Sequence, residues 1–485
     1  MAAVWTWIGF GILAFLLVVL LHDLIQTKHA ILRSFPVIGH LRYLLEKIGP
    51  ELRQYIVTEN DADRPFSRDQ RRWIYASAKQ QNNLFGFGTD NDLDIQRNYL
   101  IIKHAAFPKP DLGFDEGQAV QAAKVLGGPR RRAKAFTPAS LVNISSMSYG
   151  SLSGAAVTAL NKGANLAGAL HGSGEGGLTT YHDQGGDLVW QIGTGYFGCR
   201  DAAGNFDLGR FLENVDRFPV KAIEVKLSQG AKPGLGGLLP GKKVTPEIAA
   251  IRGIPVGEDC HSPPGHSSFH DVDSMLDFVE WLASETGLPV GIKSAVGEIE
   301  FWEDLADQMV SGERGVDFII IDGGEGGTGA GPLAFTDHVA LPFLHAFPRV
   351  HDVFTQRGVA DQVMWIGSGR LGLPDRGLLA MTLGVDMINV GREAMMAAGC
   401  IQAQRCHTGH CPTGVATNSK WLERGLDPTD KGLRVGRFIQ TLRFELGRMA
   451  RACGVDHPST VSPAQLEIIN GMTASRTAHE IFINR

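Results

Sequence analysis

Positive charge is in short supply along this chain of 485 residues: 46 Lys and Arg stand against 51 Asp and Glu, a formal net charge of −5. Binding nucleic acid through its phosphates calls for the opposite balance, and no basic tail or zinc-finger spacing supplies it locally. A nucleic-acid partner is excluded on that ground. Cysteine is scarce too, with six residues at 199, 260, 400, 406, 411 and 453, and internal repeats are absent. What the chain has in quantity is glycine, 60 residues gathered in short clusters such as Gly323–Gly331. Clusters of that kind read as loops that cradle an anion rather than as low complexity. A hydrophobic share of 44% and a charged share of 20% exclude disorder and suffice for a large core.

Charge is missing altogether from Val4 to Leu21, a run dominated by Leu, Val, Ile, Phe and Trp. Its length approaches the roughly 20 apolar residues that cross a bilayer core, so it is expected to be a transmembrane helix. A cleaved signal peptide is the rival, but nothing basic precedes the run and no Ala-x-Ala site follows it. Lys28, Arg33, Arg42 and Lys47 come after the helix and no Lys or Arg before it, which predicts a single-pass protein with its body in the cytoplasm. Trp5 and Trp7 then lie at the far interface. Thiols stay reduced in that compartment, so the cysteines are not a disulfide framework, and metal or cluster ligation is open to those that group together.

Four regions are expected: a membrane anchor over 1–33, an irregular and helical lead-in over 34–135, a barrel over 136–420, and a helical extension over 421–485. From Pro138 onward, short apolar runs end in Gly, Ser or Lys and pass through a loop to a helical segment, the pattern of repeated βα units around a parallel sheet. The runs are Leu141–Met147, Leu188–Ile192, Ala222–Lys226, Val290–Ser294, Phe318–Ile321, Val363–Ile366 and Met387–Val390. Seven strands in this pattern predict an α/β fold, a (β/α)8 barrel with one strand missed or replaced, with an open doubly wound sheet as the alternative. Phe438, Leu442, Leu446 and Met449 have helical spacing and predict a helix over Leu433–Cys453.

Barrel enzymes build their sites at the C-terminal ends of the strands. Here those ends carry Met147 at the close of the first run with Ser148 and Tyr149 after it, Lys226 at the close of the third with Gln229 and Lys232 after it, and Lys293 near the end of the fourth. The segment 322–332, with Gly327 inside it, follows the fifth. Gly367-Ser-Gly-Arg-Leu-Gly372 follows the sixth, and Gly391-Arg392 the seventh. Gly367, Gly369 and Gly372 match the spacing of a dinucleotide fingerprint, but that turn belongs at a first strand, with an acid closing the second. Asp386 instead precedes its strand. Glycine loops after the late strands of a barrel fit a phosphate better, so Gly367, Ser368, Gly369, Arg370, Gly391 and Arg392 are assigned to the phosphate of flavin mononucleotide. Any one of Lys226, Lys232 and Lys293 reads equally well as a solvated loop lysine. Three at successive strand ends form a cationic pocket suited to the flavin N1–C2=O edge and a carboxylate.

Cys400, Cys406 and Cys411 lie in a loop with glycines at 399, 409 and 414. Such a loop can wrap an iron–sulfur cluster. It can equally hold zinc with His407 or His410 as a fourth ligand, and spacing alone does not separate the two. Cys199, Cys260 and Cys453 are isolated and read as ordinary buried thiols.

Taken together, Ser146-Met-Ser-Tyr-Gly-Ser-Leu-Ser153, Ser173-Gly-Glu-Gly-Gly177, Gln229-Gly-Ala-Lys-Pro-Gly234, Leu239-Pro-Gly-Lys-Lys-Val244, Ser262-Pro-Pro264, Gly326-Gly-Thr-Gly-Ala330 and Cys411-Pro-x-Gly-Val-Ala416 resemble, in this order, the FMN-binding synthase domain of glutamate synthases. The resemblance runs from about Phe136 to Asn418. It implies a three-iron cluster, 3Fe-4S, on Cys400, Cys406 and Cys411, and FMN in the barrel. It also implies an oxidoreductase acting on the CH–NH2 group, with electrons from a ferredoxin or a second subunit reducing 2-iminoglutarate to glutamate. By the same resemblance Glu175 is the proton donor, Lys232 and Arg252 hold substrate carboxylates, and Gln191 and Lys293 touch the flavin ring.

Departures from the family pattern matter as well. The family joins this domain to an N-terminal glutaminase, whereas here an apolar helix comes first, so glutamine hydrolysis is not expected. Leu235 and Leu238 stand where the family has an acid and a glutamine, and His266 is followed by Ser267 and Ser268 where the family reads His-His-Asp. Losing two polar groups weakens recognition of a dicarboxylate, which supports a less polar substrate as the alternative. A membrane electron-transfer subunit is a further alternative, against which the intact Glu175, Lys232 and Arg252 speak.

Overall fold

A computed structural model describes residues 2–55, 63–93, 95–114 and 120–483. Eight strands form a closed barrel: β1 Val142–Ile144, β2 His171–Gly172, β3 Leu188–Ile192, β4 Val220–Lys226, β5 Val290–Ser294, β6 Phe318–Asp322, β7 Met364–Ser368 and β8 Met387–Val390. Every neighbouring pair is parallel, and β8 closes on β1 through the register Ile388↔Val142 to Val390↔Ile144. The barrel expectation is met and the open sheet is ruled out. The missing strand is β2, whose two residues are too short to show any period.

The apolar runs become strands because both of their faces are covered: β5, β6 and β7 are buried at every position. Inside the barrel, Ala222, Phe318, Ile320, Met364, Ile366 and Met387 form one cluster with Leu126. Leu126 bridges antiparallel to Phe136, so the end of the lead-in plugs the N-terminal mouth and leaves the opposite mouth for chemistry.

Helix Gly154–Ala167 is capped by the Ser153 side chain and crosses the long helix Pro428–Ala452. The crossing is close because Gly163 lies there: a Cβ on it would sit 2.5 Å from the Val435 side chain. The predicted C-terminal helix is thus present and longer than expected. The sequence pattern predicts no strand over 34–135 or 421–485. The structure places Arg97–Ile102 antiparallel to Leu466–Asn470, which pairs in turn with Ser475–Thr477. Tyr99-Leu-Ile-Ile102 is a short apolar run whose partner lies at the other end of the chain, so nothing local announces it.

Helix Ala2–Ile25 projects its apolar side chains outward, with Trp5 and Phe15 71% and 66% exposed. Its stretch Val4–Ile25 is long and apolar enough to cross a membrane, and its residues from Val4 to Val18 are all exposed. At its foot the chain turns back: Asp23 accepts from the Val37 backbone N–H (2.9 Å) and meets His40 Nε2 (2.9 Å). Ser34 and Trp421 then fasten this turn to the segment before the C-terminal helix.

Candidate active site and cysteine loop

The open mouth of the barrel holds a cleft of about 310 Å³ lined by Glu175, Thr194, Lys226, Gln229, Lys232 and Leu235 among others. Lys226 ends β4 and Glu175 follows β2, and their side chains form an ion pair at 2.9 Å. Lys226 Nζ also donates to Gln229 Oε1 at 2.7 Å. Burial favours the neutral form of the Glu175 carboxyl, but Lys226, Lys232 and Arg252 outweigh it and hold the carboxyl below its ordinary range. Burial, with Lys226 nearby, pushes the Lys232 ammonium down, opposed by Glu175. Two ammonium groups face one carboxylate, so the cleft has an excess of positive charge suited to an anion.

Arg252 is set apart from these groups. Its guanidinium donates to the Tyr149 carbonyl (3.2 Å), points a second nitrogen at the Cys260 sulfur (3.8 Å) and lies over the Phe197 ring at 4.9 Å, while Nε has no partner. It acts on Glu175 through its field and does not line the cleft. Leu235 does line it; Leu238 instead pairs with His261 in a two-stranded ribbon. His266 supports the end of β4. Burial drops its pKa to about 4, so its neutral Nε2–H donates to the Lys226 carbonyl at 2.9 Å and Nδ1 accepts from the Tyr196 hydroxyl at 3.0 Å.

Deeper in the mouth, Glu224 collects hydrogen bonds from Gln191 Nε2 and from Ser146 Oγ (3.0 Å). Lys293 stands 3.6 Å from Asp322 Oδ2. Burial works against its charge, but Asp322, Glu224 and Glu175 prevail and keep it an ammonium. Gln191 and Lys293 thus share one polar floor. Glu224 is the residue that sequence reasoning passed over; its signal was an acid inside the apolar run of β4. Met147 and Ser148 lie beside this floor in the loop after β1. Gly174 lets the next loop approach them, for a Cβ there would fall 2.3 Å from the Ser148 nitrogen.

At the ends of β7 and β8, Gly369 has φ +124° and Arg370 φ +54°, a left-handed turn whose Ser368 carbonyl accepts from Gly323 N at 2.9 Å. Gly327 passes so close to Arg392 that a Cβ would lie 2.8 Å from its side chain, whereas Gly367 and Gly391 meet Leu371 and Ser145. Arg370 and Arg392 come together here, and burial disfavours the charge of both. Neither forms a carboxylate ion pair among the described residues. Across both guanidinium groups lies Phe66, at 5.3 and 5.4 Å. Phe66 comes from the lead-in, whose sequence points to no site residue.

Cys411 is buried, and Cys400 and Cys406 are half-buried. Burial and the two other thiols push the Cys400 thiol up, and burial and Cys411 do the same to Cys406, so the three are neighbours. Among the described residues no three His, Cys, Asp or Glu side chains converge on a single metal ion. The loop is pinned to the barrel mouth: Ser153 Oγ donates to the Gly414 carbonyl (2.6 Å), Lys243 Nζ to that of Cys406 (3.0 Å) and Tyr75 to that of Cys400 (2.9 Å). Gln402 reaches the Arg64 and Phe66 carbonyls, so one lead-in segment covers both the cysteine loop and the arginine pair. Cys199, Cys260 and Cys453 are buried apart from the loop.

A closed parallel barrel with a charged cleft at its C-terminal mouth defines the class as an α/β-barrel enzyme. The family described as the conserved region in glutamate synthase matches residues 111–456, and the chain belongs to the glutamate synthase family as an oxidoreductase of that type. It is 38% identical to a glutamate synthase large subunit-like protein, YerD, of Bacillus subtilis (strain 168), over 89% of this chain and 88% of that one. An archaeal glutamate synthase [NADPH] of Methanocaldococcus jannaschii is 32% identical over 70% of this chain; this chain spans 64% of its length. Among solved structures, a flavocytochrome b2 variant with sulfite bound is 14% identical with a TM-score of 0.46, covering 88% of this chain and 85% of that one.

Proposed function

We propose that this chain is an FMN- and iron–sulfur-dependent oxidoreductase that reduces an imino or oxo acid, 2-iminoglutarate to glutamate, at the cytoplasmic face of a membrane. FMN, when bound, supplies the electron pair for the imine carbon, and a 3Fe-4S cluster the route by which single electrons arrive. Arg370 and Arg392, half-buried without carboxylate ion pairs among the described residues, fit a phosphate, with Gly327, Gly367, Ser368, Gly369 and Gly391 around it. Met147, Ser148, Gln191 and Lys293 fit the ring, where Lys293 brings a positive charge to its polar edge. Cys400, Cys406 and Cys411 sit in one loop as neighbours, and cysteine thiolates are the usual ligands of such a cluster.

The cleft carries the reading: Glu175, Lys226 and Lys232 together hold a net positive charge at the strand ends. Lys232 takes a substrate carboxylate there, and Arg252 supports from behind by holding Glu175 ionised. Because Glu175 is the carboxylate partner of an ammonium, the proton for the substrate nitrogen resides on Lys226 Nζ, and the Glu175–Lys226 pair is the proton source. A ferredoxin or second subunit delivers the electrons, and the helix Ala2–Ile25 anchors the chain.

Flavin-loaded protein, reduced chemically without oxygen and given 2-oxoglutarate and ammonia, is expected to form glutamate. A flavin that reduces and reoxidises while no glutamate appears would sink the assignment. It would favour instead a less polar acid, the second reading, which Leu235 on the cleft wall supports.

A further inference from the structure

At the foot of the apolar helix lies a second cavity, of about 620 Å³, which shares no lining residue with the cleft. Its wall carries five cations, Lys28, Arg42, Lys79, Lys431 and Arg434, and one carboxylate, Glu46. Arg42 pairs with Glu46 at 2.9 Å, and Lys431 and Arg434 share Asp430 at 2.9 Å each. Lys28 and Lys79 form no ion pair among the described residues. Lys431 is 2% exposed and directs Nζ at the Lys28 carbonyl, 3.0 Å away, so the cationic wall is built in and not a loose surface cluster. His29, on the same wall, feels the surplus: burial first, then Lys79, Lys431 and Arg434, hold its imidazole below the ordinary value. In a chain of net charge −5, a cavity with this lining is a local trap for an anion. Its inner wall includes Gly399 and Ile401 of the cysteine loop.

We propose that this cavity binds the phosphate of an anionic membrane lipid. Phosphate is the shared chemistry of a lipid headgroup and a free ion; the lipid is favoured because the cavity opens where helix Ala2–Ile25 ends, the level at which juxtamembrane lysines and arginines meet headgroups. The inference rests on the membrane reading of that helix.

Full-length protein in neutral detergent is titrated with short-chain phosphatidylglycerol, short-chain phosphatidylcholine and inorganic phosphate, with bound mass read by native mass spectrometry. Phosphatidylglycerol is expected to bind more tightly than the other two. The double substitution Lys28→Gln and Lys79→Gln, at exposed positions that spare the fold, is expected to weaken it roughly 30-fold, as two cations near a membrane surface imply. Equal binding of the two lipids, inorganic phosphate binding as tightly as phosphatidylglycerol, or a double variant that binds unchanged would each overturn the proposal. Alkaline carbonate extraction of membranes tests the anchor separately: release of the chain defeats the anchor, while a retained preference for phosphatidylglycerol still supports the cavity.

Discussion

Glu175 sits where burial alone would neutralise it, and three cations keep it charged. Because its folded pKa is depressed from an ordinary 4.5, the carboxylate contributes stability that is fully present above that value and is lost as pH falls through the lower folded one. Glu175→Gln leaves Lys226 and Lys232 facing each other with no counter-charge. The gap in thermal midpoint between wild type and variant is expected to be widest near neutrality and to close in acid, and turnover with a chemical electron donor to fall about 10²–10⁴-fold. Unchanged turnover would remove the pair from the mechanism. Histidines shielded from water act at milder pH. His182, His266 and His351 are lowered from 6.5 to about 4 by burial, so the unfolded chain binds more protons between those values. Stability is full above 6.5 and declines as pH falls toward 4; denaturant midpoints that stay flat across that window would contradict this.

Among the elements, helix Pro428–Ala452 ties the barrel's surroundings together through one buried guanidinium. Arg443 donates to the carbonyls of Val120, Ala139 and Ala167, and burial lowers its pKa to about 10. Arg443→Met fills similar space but strands three carbonyls, and is expected to cost about 3–5 kcal/mol by chemical denaturation. A loss under 1 kcal/mol would mean that water replaces the guanidinium. Where this helix crosses Gly154–Ala167, Gly163→Leu has no room beside Val435 and is expected to destabilise by about 1–3 kcal/mol.

At the scale of the whole molecule, the lead-in is what joins the parts. Phe66 covers Arg370 and Arg392, and the carbonyls around it hold Gln402 of the cysteine loop. Phe66→Ala opens the arginine pair to water, and flavin fluorescence is expected to report release from the variant about tenfold faster than from the wild type. Equal rates would leave Phe66 a packing residue only. Removing residues 1–21 spares Asp23 and the turn it anchors, so the shortened chain is expected to leave the membrane fraction on ultracentrifugation with its thermal midpoint retained.

Much of this was legible in the sequence because it is local. Parallel strands buried on both faces appear as unbroken apolar runs, and three of the seven expected strands, Leu188–Ile192, Val290–Ser294 and Met387–Val390, match to the residue. Their chemistry-bearing ends follow directly, since a barrel gathers one end of every strand at one mouth. The apolar helix and the ordered motifs were visible for the same reason. Only the tertiary structure closed the barrel with a two-residue β2, drew Glu224 into the floor, set Arg252 behind the cleft, and laid Phe66 over the arginines. Each of these depends on residues far apart in the chain meeting in space, and such meetings leave no period, spacing or composition behind them in the sequence.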